Sequence, residues 1–120
     1  TDADLRELSA DRFDAFVVPG GWAPDFLRRT PHAAKLIAEA DVQGKLVAAI
    51  CHGGWVLASA RILAGKRLTS FFAIRDDLEH AGAKWEDKSV VVDGNLITSR
   101  APDDLPDFMK AILHGLEAQR

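Results

Sequence analysis

Residues 48–55 read AAICHGGW and place the only cysteine of the chain, Cys51, between an apolar run and two glycines. A lone thiol has no internal disulfide partner, so it acts as a nucleophile, a redox group or a small buried hydrophobe. Packing alone needs no glycines beside it. A nucleophile elbow does: the sharp turn from strand to helix requires small residues two before and two after the nucleophile. Here those are Ala49 and Gly53. Such a turn lifts the side chain out of the sheet and aims the N-terminus of the next helix at the sulfur, which favours thiolate. The backbone N–H of His52, directly after the nucleophile, is placed to meet a developing oxyanion. Gly21 could supply a second donor, because lack of a side chain permits close backbone approach. His52 itself is a candidate proton carrier, or a structural histidine with its N–H on a carbonyl. Trp22, Gly53 and Gly54 are the candidates for a substrate-binding rim.

These residues need elements to hold them. Residues 13–18, FDAFVV, read as a buried strand ended by Pro19, Gly20 and Gly21. Thr30 followed by Pro31 signals a helix start, with the helix running over 31–43 and stopped by Gly44. Residues 45–50 read as a second buried strand, and 53–65 as a helix with few charges. RLTS at 67–70 is a third strand candidate, and 73–82 a polar-faced helix ended by glycine. Two β-rich runs within 89–100 flank Asp93-Gly94-Asn95, a strong hairpin signal, and 104–119 is an amphipathic helix. Alternating strands and helices predict an α/β fold: a parallel sheet flanked by helices on both faces, with a C-terminal β-hairpin and helix. Ligands bind beyond the carboxyl ends of such strands, where Pro19-Gly20-Gly21 and Cys51-His52-Gly53 both fall.

The chain has 120 residues, enough for one domain. Its net charge of −3, with acids and bases interspersed, argues against nucleic acid and against an anionic membrane surface. No apolar run approaches the roughly 18 residues that would span a bilayer, and no signal-peptide pattern is present. An unpaired thiol makes a reducing cytoplasm the default expectation. His32, His80 and His114 lie on predicted helices among polar residues, and no spacing joins them into a metal site. Pro19-Gly20-Gly21 lacks the lysine of a phosphate-binding P-loop, so no metal and no cofactor is expected. Asp76 and Asp77 read as a solvated helix face, and Trp55 and Trp85 as core or interface residues.

The segments VVPGGWAPDFLR, VAAICHGGWVLASARILAGKRLTSFFAIRDDLEHAGAKWEDKSVVVDGNLITSR and PDDLPDFMKAIL resemble the PfpI-type intracellular protease family. That family belongs to the superfamily of the parkinsonism-associated deglycase and the class I glutamine amidotransferases. The resemblance implies a flavodoxin-like sheet, with Cys51 as nucleophile, His52 as the histidine beside it, and Gly21 and His52 as backbone oxyanion donors. Asp25 falls where members carry an acid, usually glutamate, that reaches the histidine of an adjacent subunit. A homo-oligomer is therefore implied. CHGGW departs from the commoner CHGPQ, so Gly54 and Trp55 change the expected rim. The resemblance also implies a first strand–helix–strand unit before Thr1, carrying a glutamate for the cysteine. Residues 1–120 are thus expected to be a single domain lacking that unit. Strands from an upstream segment, or from a second chain, are expected beside 13–18 and 45–50. The implied activity is that of a cysteine-dependent stress-response hydrolase, acting on a peptide or on a small carbonyl or glycated substrate. The rival expectation is a redox-sensing or chaperone-like protein with an oxidisable Cys51 and no turnover; an inert fragment is a third.

Overall fold

The computed structural model describes residues 2–119. Two short 3-10 turns, Leu5–Glu7 and Ala10–Arg12, lead into strand β1, Ala15–Val18. Then follow helix α1 (Ala23–Leu27), helix α2 (Pro31–Val42), strand β2 (Leu46–Ile50) and helix α3 (Gly54–Ser59). Strand β3 (Arg67–Leu68), helix α4 (Arg75–His80) and strand β4 (Lys84–Trp85) come next. The hairpin β5 (Val90–Asp93) and β6 (Leu96–Ser99) precedes the long helix α5, Leu105–Ala118.

The main sheet has the order β1-β2-β6-β5. β1, β2 and β6 are parallel, and β5 returns antiparallel. β2 is central, and every one of its residues is buried, as a strand covered on both faces must be. Alternation splits its side chains: Val47 and Ala49 join the core shared with α2, α3 and α4, while Leu46, Ala48 and Ile50 join Phe108 and Ile112 of α5. Helices therefore lie on both faces, as expected. The hairpin turns through Gly94-Asn95, with Gly94 at φ 60°, the glycine-first chemistry of a type II′ turn. Asn95 ties that turn back to the start of β2 by donating to Asp41 and to the carbonyl of Lys45.

Several elements differ from expectation. α3 stops at Ser59 because the chain reverses at Arg61, which takes a left-handed φ of 61°. RLTS contributes only Arg67–Leu68, which pairs with β4 in a separate two-stranded sheet. The helix expected over 73–82 is a 3-10 turn at Phe72–Ile74 followed by α4. Thr30 starts α2 without a side-chain cap hydrogen bond, so Pro31 alone marks that start. The expectation of an outside strand beside residues 45–50 fails, because β2 lies between β1 and β6 of this same chain. Among the described residues, nothing pairs with the outer edge of β1.

Candidate active site

β2 delivers the chain to Cys51 at the carboxyl end of the sheet. Cys51 takes φ 60°, a left-handed conformation that side chains with a Cβ resist. This is the strained strand-to-helix turn that the small residues around Cys51 predict. The glycines show how tightly it is built. A Cβ on Gly53 would lie 2.6 Å from the carbonyl oxygen of Val18 in β1. A Cβ on Gly20 would lie 2.7 Å from Cβ of Cys51 and 3.2 Å from its Sγ. The end of β1 and the elbow are thus pressed together, and glycine is needed on each side of the contact. From the other direction, the N–H of Phe71 donates to the Cys51 carbonyl at 3.1 Å.

Sγ of Cys51 lies 3.2 Å from Nδ1 of His52, so the adjacent imidazole faces the thiol. Two aromatic rings meet His52. Phe71 stacks on it at 5.0 Å and 25°, and Trp55 meets it at 5.2 Å and 62°. A cavity of about 290 Å³ opens at Cys51, lined by Gly20, Gly21, Ile50, Pro102 and Leu105. The far wall is fixed by an ion pair: Arg100 donates Nε and Nη2 to Asp104 at 2.8 and 3.0 Å, and Nη1 to Asp87 at 3.0 Å. The Arg100 hydrogen bonds hold the buried Asp104 carboxyl below the usual carboxylate range. A larger, mostly apolar cavity of about 530 Å³ lies between α5 and the β5–β6 hairpin, away from the thiol.

The structure brings Cys51, His52 and Gly21 to one place, with Gly21 at φ 69° on the cavity lining. The other expected residues lie differently. Gly53 and Gly54 are buried packing glycines rather than rim residues; a Cβ on Gly54 would meet Leu78 of α4 at 2.9 Å. Trp22 is 78% exposed and stands outside the cavity lining. Asp25 on α1 forms an ion pair at 2.6 Å with Arg29 one turn away. The long helix expected to aim its N-terminus at the sulfur is reduced to six residues behind a 3-10 turn at Cys51–Gly53. Sequence reasoning missed Gly20, Phe71, Pro102 and Leu105. Gly20 had a signal in the glycine pair; the other three come from segments distant in sequence and had none. Among the described residues, no three His, Cys, Asp or Glu side chains converge as metal ligands. No described helix is long and apolar enough to cross a membrane.

The model of the DJ-1/PfpI family matches residues 1–115. The chain belongs to the DJ-1/PfpI family. It is 45% identical over 116 residues to a protein of Pyrococcus furiosus named Deglycase PfpI, covering 97% of this chain and 70% of that one. It is 43% identical over 117 residues to the Putative cysteine protease YraA of Bacillus subtilis, covering 97% of this chain and 69% of the relative. Among solved structures, it superimposes with a TM-score of 0.92 and 52% identity on a two-domain Anabaena variabilis protein with DJ-1/ThiJ/PfpI-like and ferritin-like domains. That match covers 94% of this chain and 32% of the larger one. Drosophila melanogaster DJ-1beta gives a TM-score of 0.87 at 35% identity, covering 96% of this chain and 62% of that one. The mostly parallel sheet between helices is the flavodoxin-like fold of this family.

Proposed function

We propose that this chain carries the nucleophile of a cysteine-dependent hydrolase, acting as a deglycase on small carbonyl adducts. The observation that carries this reading is Cys51 at φ 60° on the elbow with Nδ1 of His52 at 3.2 Å from its sulfur. Nδ1 takes the thiol proton, and the sulfur adds to the carbonyl carbon. The carbonyl π electrons move to oxygen, and the N–H groups of Gly21 and His52 hold that oxyanion. His52 then returns its proton to the oxygen of a free aldehyde, giving a hemithioacetal; on a glycated amine the sulfur displaces the amine from its carbinolamine carbon, that amine takes the proton, and the resulting hemithioacetal collapses to aldehyde and free thiol. On an acyl substrate the proton goes instead to the leaving amine, giving a thioester that water cleaves. The cavity of about 290 Å³ supports a small substrate over a peptide segment. The names of the relatives, deglycase and putative cysteine protease, support hydrolase chemistry of this kind.

The test is turnover of a glyoxal-treated amino acid, with a peptide substrate in parallel. Cys51→Ser should abolish turnover while leaving the circular dichroism spectrum unchanged. His52→Ala should lower it by about 10²–10⁴-fold, the usual contribution of a positioned acid–base. A native protein without turnover, whose Cys51 is oxidised stoichiometrically by peroxide, would replace this reading with a redox sensor.

A further inference from the structure

Trp55 belongs to no part of the mechanism, yet it is held from two sides. Its indole N–H donates to Asp77 of α4 at 2.9 Å. The guanidinium of Arg28 lies over its ring at 5.6 Å and is itself anchored to the Ser59 hydroxyl at 2.9 Å. The ring so fixed meets His52, whose other neighbour Phe71 is tied through its backbone to the Cys51 carbonyl. An imidazole next to a thiol in sequence is free to rotate about χ1 and χ2. Here one stacked ring and one tilted ring leave it a narrow slot.

We propose that Phe71 and Trp55 form an aromatic clamp that positions His52 against the Cys51 thiol, with Asp77 and Arg28 fixing the Trp55 side of the clamp. Phe71 and Trp55 are positioning residues, and their role rests on Cys51 and His52 forming the reacting pair. The slot also suits the imidazolium produced by proton transfer, because aromatic faces attract a cation. Charged groups near the elbow are engaged elsewhere, as Arg100 on the far cavity wall is by Asp104 and Asp87, and Arg75 of α4 by Glu79. α3 carries no charged residue. On α1 and the residues after it, Asp25 is occupied by Arg29, and Arg28 by Trp55 and Ser59. On α4, Asp77 is occupied by the Trp55 indole.

The test needs no natural substrate, so it separates this proposal from the assignment of the reaction. Iodoacetamide alkylates Cys51 as the sulfur attacks the methylene carbon and iodide leaves; the thiol proton passes to His52 and then to solvent. The rate is followed from about pH 5 to pH 9, across the ordinary histidine and cysteine range. Phe71→Leu and Trp55→Leu should each slow alkylation at neutral pH by about two- to tenfold, the span expected for loss of one aromatic pair. Each should also change the shape of the pH profile. Phe71→Tyr should restore both rate and profile. Asp77→Leu should act like a weaker Trp55→Leu. In a His52→Ala background, Phe71→Leu should have no further effect. The ring-current shift of the His52 imidazole protons should collapse in Phe71→Leu. If Trp55→Leu does not fold, Phe71→Leu and Asp77→Leu decide the matter. An unchanged pH profile in Phe71→Leu overturns the clamp, and so does an equal rate loss with and without His52.

Discussion

At the scale of single residues, the site depends on which glycine touches the sulfur. Gly20 and Gly21 are adjacent, yet a Cβ on Gly20 would press into Cys51 while one on Gly21 would meet open space. Gly20→Ala should therefore displace the thiol. We expect a stability loss of about 1–3 kcal/mol from overpacking, together with several-fold slower alkylation of Cys51. Gly21→Ala should cost about 1–2 kcal/mol, because its φ of 69° is left-handed, and should slow alkylation less than Gly20→Ala does. Denaturant unfolding and iodoacetamide kinetics on the two variants check the contrast. The reverse pattern of rates would show that the two glycines had been assigned the wrong way round. Much of this was legible from residue types: the small residues around Cys51 predict the elbow, and the structure adds its positive φ. Which of the two glycines bears the contact was not legible, because it depends on the approach of two strand ends.

At the scale of elements, the wall opposite the thiol is a single turn held by Arg100 and Asp104. Asp104 has only 8% of its side chain exposed, while Arg100 keeps 36%. Its folded carboxyl titrates below the ordinary value of about 3.9. A depressed carboxyl contributes stability above its unfolded value and loses that contribution as pH falls through the folded one. Asp104→Asn should cost about 1–2 kcal/mol near neutrality, reduced by solvent screening at the exposed arginine. The gap between the two proteins should begin to close as pH drops below about 4. Thermal unfolding of both from neutral to acid pH measures this; a gap that widens in acid contradicts it. This ion pair had no sequence signal beyond a charge pair four residues apart. α5, by contrast, was legible from its amphipathic pattern, since periodicity is local while the orientation of a turn depends on its neighbours. α3 was read too long because nothing in the sequence marks Arg61, a residue with a Cβ, as left-handed.

At the scale of the whole molecule, the sheet has edges along β1 and β5, and among the described residues the outer side of β1, where Val17 is 50% exposed, has no strand beside it. A flat, apolar and unpaired strand invites another. The 120-residue chain should scatter light as a species larger than a monomer, and Val17→Lys should shift it toward monomer. A native monomer at the highest soluble concentration would show that this edge does not associate. The interleaved strand order has a further consequence. Val47 pairs with Leu96, about fifty residues later in the chain, and Ala15 pairs with Leu46, about thirty residues away. Both long loops must close before β2 has its neighbours, and such non-local pairings slow folding toward the millisecond-to-second range. The thiol turn needs Gly20 from the first segment and Phe71 from a third. None of these contacts is available to a nascent β2 alone. The turn that presents the Cys51 sulfur is thereby among the last features of the chain to take shape, complete only once the sheet is assembled around it.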